Sequence, residues 1–361
     1  MEITAELEKL GFIQAETDFD KASFIELLDR ELFKTLADSK GKIRDMCFHL
    51  LNAGGKRVRP LLVLYSGLAI RSAASEYNIC PARSTANFND PLLTEGLVQA
   101  SVAAELIHMA SLVHDDIIDN SDMRRNRDSI NKVWGRHFAV LGGDYLFAKA
   151  FGILSGSRLI NSMGYMVEAI QNMCQGEIEQ ADNLFDCNIS MENYNDRIAK
   201  KTAIFIDCCC RSGAAAVGGE ESNIKTLGNF GYNLGMAYQI VDDILDFLGN
   251  PDVTGKPKSE DLRNGIITLP VILLLNHERY GEWLRDVIKK REMTEQVICK
   301  ITEALKETGA IRKAYSIALA HIQEAVASLD SLPHSQYLGF LHEITSNLEK
   351  VPEAKAYLKI L

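Results

Sequence analysis

Proline is scarce in this chain, 8 residues among 361, so few positions are barred from continuing a helix. Sustained alternation of polar and apolar residues is missing too, which excludes a fold built on sheets. The 8 cysteines never stand as a CxxC pair: Cys208, Cys209 and Cys210 are consecutive, and Cys47, Cys80, Cys174, Cys187 and Cys299 are isolated. That spacing argues against a metal ribbon or a disulfide framework and for buried thiols in a reducing compartment. Positive charge is short as well: a formal net charge of -10 without a basic cluster argues against a nucleic-acid surface. No apolar run is expected to reach the roughly 18 residues of a transmembrane helix, since residues 61–70 and 268–275 are too short. The opening MEITAELEKLGF lacks the apolar core of a signal peptide, so a cytoplasmic location is expected.

What is present is helical patterning almost end to end, with 47% hydrophobic residues to fill a core. The pattern predicts an all-α fold, one large domain over residues 1–361, with a loose lead-in over 1–20 and a surface loop over 71–90. Residues 24–36, FIELLDRELFKTL, predict an amphipathic helix that packs on the body or on a partner subunit. Further helices are expected over 43–51, from 91 to the sequence HDD, and over 137–154, 162–181, 194–217 and 224–249. Residues 266–361 read as helical and carry no catalytic signal.

Two stretches carry the chemistry, LVHDDIIDN over 112–120 and QIVDDILDF over 239–247. Each sets Asp at i, i+1 and i+4 on a helix, so Asp115, Asp116 and Asp119 form one carboxylate patch and Asp242, Asp243 and Asp246 a second. Three carboxylates so close resist ionising together unless cations neutralise them. Oxygen-only ligands suit Mg²⁺ or Mn²⁺, which bind through a few carboxylates plus substrate phosphate. The competing explanation is a first helical turn, where the dipole welcomes acids. Two copies in matching apolar contexts weigh against it.

The cations that a diphosphate needs lie elsewhere in the chain. GGKRVRP over 54–60 combines glycines, a helix start and Lys56, Arg57 and Arg59, a good anion site. His108 precedes Asp115 by two helical turns and points the same way. Arg124 and Arg125 follow the first cluster, Lys201-Thr202 offers an ammonium and a hydroxyl, and Lys256 sits on a Gly/Pro loop after the second cluster. The helix over 162–181 also holds Gly176-Glu177 and Gln180, to which no role is assigned.

Together, GGKRVRP, DDIID and DDILD separated by 242 - 115 = 127 positions, the RR pair, KT, Gln239 and GKP at 255–257 resemble the trans-isoprenyl diphosphate synthases. The match runs from about residue 41 to 270, and LIHMASLVHDDIID is most similar to the long-chain polyprenyl group. The resemblance implies a helical bundle around a deep central cavity with the Asp clusters at its mouth, and a homodimer, with a second, different subunit left open. It implies that Lys56, Arg59, His108 and Arg125 hold isopentenyl diphosphate, and that Asp115, Asp116 and Asp119 bind Mg²⁺ with an allylic diphosphate. Arg124, Lys201, Thr202, Gln239 and Lys256 would complete the allylic site, with Asp242, Asp243 and Asp246 holding the remaining metal. The implied reaction is a metal-dependent condensation giving an all-trans polyprenyl diphosphate, with membrane contact at most peripheral, through the product.

One departure stands out: where the family follows its arginine pair with Gly and then Pro-Thr, this chain has Asn126, Asp128 and Ser129. Ala110 and Ser111, one turn before the first cluster, are small where short-chain members often carry Phe or Tyr, so a long product is expected over a farnesyl or geranylgeranyl one. A terpene cyclase does not fit, because it has no use for GGKR and its second motif is not DDILD. A non-catalytic subunit of a heteromeric synthase would have lost some of these Asp and Arg residues. A di-iron bundle needs two ExxH patterns and only Glu105–His108 is found.

Overall fold

The computed structural model describes residues 21–76, 91–124, 127–156, 159–248 and 259–349. Its architecture is all-α, and the one sheet among the described residues is a two-residue hairpin, β1 (Met123–Arg124) with β2 (Arg127–Asp128). The first helices are α1 (Lys21–Ala37), α2 (Gly41–Asn52), α3 (Val58–Glu76) and α4 (Pro91–Ile118). After the hairpin come α5 (Ile130–Trp134), α6 (Arg136–Leu154), α7 (Ile160–Asp182) and α8 (Met191–Ile198). A π-turn, Ala199–Ala203, joins α8 to α9 (Ile204–Ala216), which leads to α10 (Glu221–Leu248). The remainder is α11 (Glu260–Arg263), α12 (Leu269–Leu275), α13 (Gly281–Lys290), α14 (Glu295–Glu307), α15 (Ala310–Asp330) and α16 (Leu338–Glu349).

α1 docks on the body. Its apolar stripe Phe24, Leu28, Leu32 and Leu36 recurs every fourth residue and is fully buried against the core, with α2 and α4 alongside. α9 is the central element, packed by α3, α7 and α10, and its Cys208, Cys209 and Cys210 are buried free thiols, as their spacing suggested. α4 packs along α6, and α10 along α15. Tyr65 of α3 stacks on Phe340 of α16 with ring centroids 3.9 Å apart, which fastens the last helix over the same bundle.

Two expectations need correction. α3 continues to Glu76, so the stretch expected to be a loop from residue 71 is helical over its first six positions. Its Ala and Glu keep good helix propensity after the apolar periodicity has ended; residues 77–90 and 1–20 lie outside the described residues. The second correction concerns length: residues 95–118 of α4 are long and apolar enough to cross a membrane. They are mostly buried between neighbouring helices, as befits the core helix of a bundle.

Candidate active site

Both Asp clusters stand at the last turns of the two 28-residue helices, α4 and α10. A helix C-terminus repels carboxylates, by roughly 0.3 to 1 kcal/mol each at exposed sites. A capping role is therefore excluded, and the acids sit where the backbone opposes them. α4 ends at once after its cluster, with Asn120 in the left-handed region at φ 52°.

The two helix ends meet over one cavity of about 610 Å³. Asp115, Asp119, Asp242 and Asp243 line it, and so do Lys56, Arg59, His108, Arg124, Lys201, Thr202 and Gln239, residues drawn from five separate elements and the segments beside them. Asp116 and Asp246 do not face this cavity. The expectation of one shared patch per cluster is therefore met only in part, because Asp116 is drawn to Arg124 and Asp246 to the Glu260 amide.

Asp116 is 2% exposed and accepts from Arg124 Nε at 2.6 Å and Nη2 at 2.5 Å. This pairing fixes Arg124 despite the departure from the family loop. The hairpin that carries Arg124 is tied down by further hydrogen bonds. Ser129 Oγ donates to the Ser121 carbonyl at 2.7 Å, Asn131 Nδ2 to the Asp116 and Ser121 carbonyls, and His49 Nε2 lies 2.7 Å from the Asp128 carbonyl. Arg125 lies outside the described residues. Asp115 is pushed up to about 7, by burial first and by the Glu177 charge second, with Lys201 and Arg124 pulling against the rise.

In the second cluster, Asp243 is 3% exposed and accepts from Tyr194 Oη at 2.7 Å and Gln239 Nε2 at 3.0 Å. Burial pushes it up to about 7, with Asp261 adding to the rise. Asp246 Oδ1 accepts the Glu260 backbone N–H at 3.0 Å, while Oδ2 is buried without a donor among the described residues. Burial, then Asp261 and Asp242, push Asp246 up to about 9. Asp261, at the start of α11, lines the cavity as a further carboxylate that the sequence reading missed; its only signal was the acidic pair in SEDL. Lys256 lies outside the described residues.

The cations divide by wall. Arg59 Nη1 is 3.2 Å from His108 Nε2, which brings the GGKR segment and α4 together, and the Arg59 guanidinium lies over Phe205. Arg57 is used otherwise: it pairs with Glu105 at 2.6 Å and Asp29 at 2.9 Å, so Glu105 anchors the loop and serves no di-iron site. On the other wall the π-turn, closed by the Ile204 N–H on the Ala199 carbonyl, splits two adjacent lysines. Lys200 goes outward to Glu179 and Asp196. Lys201 goes inward to Glu177 at 2.5 Å and Gln180 Oε1 at 2.9 Å, and Thr202 donates to Gln239 Oε1 at 2.8 Å. Gly176 permits this approach, since a Cβ there would stand 3.0 Å from Lys201 Cγ.

Among the described residues no three His, Cys, Asp or Glu side chains converge closely enough to hold a metal by themselves. That fits ions bound partly through substrate phosphate oxygens and water. The donor set fits as well: it is carboxylates only, and burial holds Asp115 and Asp243 above their ordinary range. Asp115, Asp119, Asp242 and Asp243 are the cluster carboxylates that line the cavity.

Below the charged mouth the wall is apolar, with Leu112, Phe147, Ile170, Met173, Phe205 and Leu234 among its residues. Ser111 lines it, whereas Ala110 is fully buried and outside the lining. Ile344 and Leu348 of α16 also line the cavity, from a region in which the sequence showed no functional signal. Their apolar character alone could not distinguish a wall from a core.

A family description, polyprenyl synthetase, matches residues 40–305. The chain is 35% identical over 323 residues to heptaprenyl diphosphate synthase component 2 of Geobacillus stearothermophilus, covering 90% of this chain and 94% of that protein. Among solved structures, the heptaprenyl diphosphate synthase of Staphylococcus aureus superposes with a TM-score of 0.80 at 28% identity, over 92% of this chain and 99% of that one. A polyprenyl synthase of Caulobacter crescentus CB15, complexed with calcium and isoprenyl diphosphate, superposes with a TM-score of 0.79 at 27% identity, over 96% and 98%. The chain belongs to the polyprenyl synthetase family.

Proposed function

We infer that this protein is a trans-prenyltransferase that condenses isopentenyl diphosphate with an allylic diphosphate into a long-chain polyprenyl diphosphate. The observation that carries this reading is the cavity itself, with carboxylates from two helix ends and cations from two walls at the mouth and apolar side chains beneath.

Arg124, Lys201 and Thr202 bind the allylic diphosphate, and Lys56, Arg59 and His108 bind isopentenyl diphosphate from the opposite wall. Two diphosphate sites at fixed separation hold the reacting carbons together, which removes much of the entropic barrier. Divalent cations, Mg²⁺ in our reading, supply Lewis-acid neutralisation of the leaving group when bound. The allylic C–O bond breaks, the isopentenyl double bond forms the new C–C bond, and a proton leaves the adjacent carbon, with the departing diphosphate as base. The side chains of Lys201 and Arg124 bear part of the developing charge from fixed positions. The apolar wall keeps water from the carbocation and receives the growing tail.

A second copy of the chain completes the assembly in this proposal. Val140 and Leu141 on α6 and Ile160 and Ile178 on α7 are exposed apolar side chains, and Ile178 also lines the cavity. The likeness to a synthase component supports a different subunit at the same face as the alternative. A cytoplasmic setting accords with the free buried thiols of α9. The test is incubation of the purified chain with Mg²⁺, labelled isopentenyl diphosphate and farnesyl diphosphate, with products resolved by mass spectrometry. Products of C35 or longer are expected. No condensation by the chain alone would point to the heteromer, and a C15 or C20 end product would refute the long-chain reading.

A further inference from the structure

Tyr194 is remote from both Asp clusters in sequence and fully buried, yet its hydroxyl donates to Asp243 Oδ2 at 2.7 Å. The other oxygen of the same carboxylate accepts from Gln239 Nε2 at 3.0 Å. Gln239 is in turn oriented by Thr202, whose hydroxyl donates to Gln239 Oε1 at 2.8 Å. The amide therefore presents its NH2 group to Asp243, and the four side chains form one directed chain of hydrogen bonds, Thr202 to Gln239 to Asp243 and Tyr194 to Asp243.

The backbone is shaped for this arrangement. Tyr194 and Thr202 are 202 - 194 = 8 residues apart, and a regular helix would leave them about 80° apart around the axis. Thr202 lies within the wider π-turn, Ala199–Ala203, and both side chains reach α10. Gly235 lets α10 come close, since an added Cβ would stand 2.5 Å from Ala203 Cα. Tyr194 itself is held from behind: the Arg197 guanidinium lies 5.6 Å from its ring centre and donates to the Ile267 carbonyl at 2.7 Å.

We propose that Tyr194 is a positioning residue of the second carboxylate cluster, fixing the direction of Asp243 before metal and diphosphate arrive and tying it to the Thr202 diphosphate contact. The proposal rests on the reading of the site as a metal-diphosphate centre. Hydrogen-bond partners behind metal-binding carboxylates typically govern about 10- to 100-fold of metal affinity. A buried carboxylate with one donor removed is free to turn, and the cluster loses its prearranged shape.

The test is Tyr194→Phe, alone and combined with Asp243→Asn, with Mg²⁺ binding measured by calorimetry in the presence of inorganic pyrophosphate. Wild type must bind Mg²⁺ and pyrophosphate for the site reading to hold at all, which separates failure of that reading from failure of this one. Tyr194→Phe is expected to weaken Mg²⁺ binding about tenfold, and to add little in the Asp243→Asn background, because residues acting through one contact are not additive. Damage to the fold would act equally in both backgrounds, and thermal unfolding of all four proteins monitors it. Unchanged Mg²⁺ affinity in Tyr194→Phe, or an equal loss in both backgrounds, would overturn the proposal.

Discussion

Lys201 Nζ stands 2.5 Å from Glu177 Oε1, and the charge on that same Glu177 helps to push Asp115 up to about 7. The carboxylate of Glu177 thus holds the ammonium until a diphosphate competes for it, and meanwhile keeps Asp115 reluctant to ionise. Glu177→Gln removes the repulsion and releases Lys201, and both changes lower the Asp115 pKa. Since a protonated Asp115 cannot bind metal, the acid limb of kcat/KM for the allylic substrate should move to lower pH. An unmoved limb would show that Glu177 does not act on Asp115.

Asp115→Asn and Asp242→Asn should each lower turnover at least a hundredfold with little loss of fold stability. Each removes an electrostatic partner of charge that develops in the transition state, on the order of 3 kcal/mol. More than a tenth of wild-type turnover in both variants would remove the clusters from the chemistry.

Lys56→Ala or Arg59→Ala should raise the KM for isopentenyl diphosphate well above any change for the allylic substrate. Both residues belong to the wall built by the GGKR segment and His108, while Lys201 and Thr202 come from the π-turn. Parallel increases in the two constants would contradict separate diphosphate sites.

The tail length depends on the cavity wall one turn below the first cluster. Ser111→Phe places a ring in the lining and should shorten the product by several isoprene units while sparing the first condensation. Ala110→Tyr acts differently, because Ala110 is fully buried in the core. Overpacking there costs typically 1 to 3 kcal/mol. A lower melting point for Ala110→Tyr alongside shortened products for Ser111→Phe is the expected pattern, and full-length product from Ser111→Phe would rule out the wall position.

The metal-free protein should be sensitive to alkaline conditions through Asp246. Its folded pKa of about 9 lies above the unfolded carboxylate value of about 4. The folded state then binds the proton more tightly, so stability is full below the unfolded pKa and falls as pH rises toward the folded one. Relative to Asp246→Asn, wild type without metal should lose melting temperature between pH 5.5 and 8.5. A wild-type-to-variant gap that stays constant with pH would contradict a proton held at Asp246.

The helices, the two Asp triplets and most of the cation set were legible in the sequence because they are local patterns, fixed by spacing along one helix. The amphipathic stripe of Phe24, Leu28, Leu32 and Leu36 likewise announced a buried face, but not which surface would bury it. What the tertiary structure decided is direction. Asp116 turns to Arg124 and Asp246 to the Glu260 amide, while their neighbours face the cavity. Arg57 goes to Glu105 and Arg59 to His108, although the two arginines stand two positions apart. Lys200 and Lys201 part at a π-turn that no residue pattern announced, and Tyr194, Asp261, Ile344 and Leu348 join the site from distant segments. Such choices depend on the phase and crossing of helices far apart in sequence, and only packing sets those.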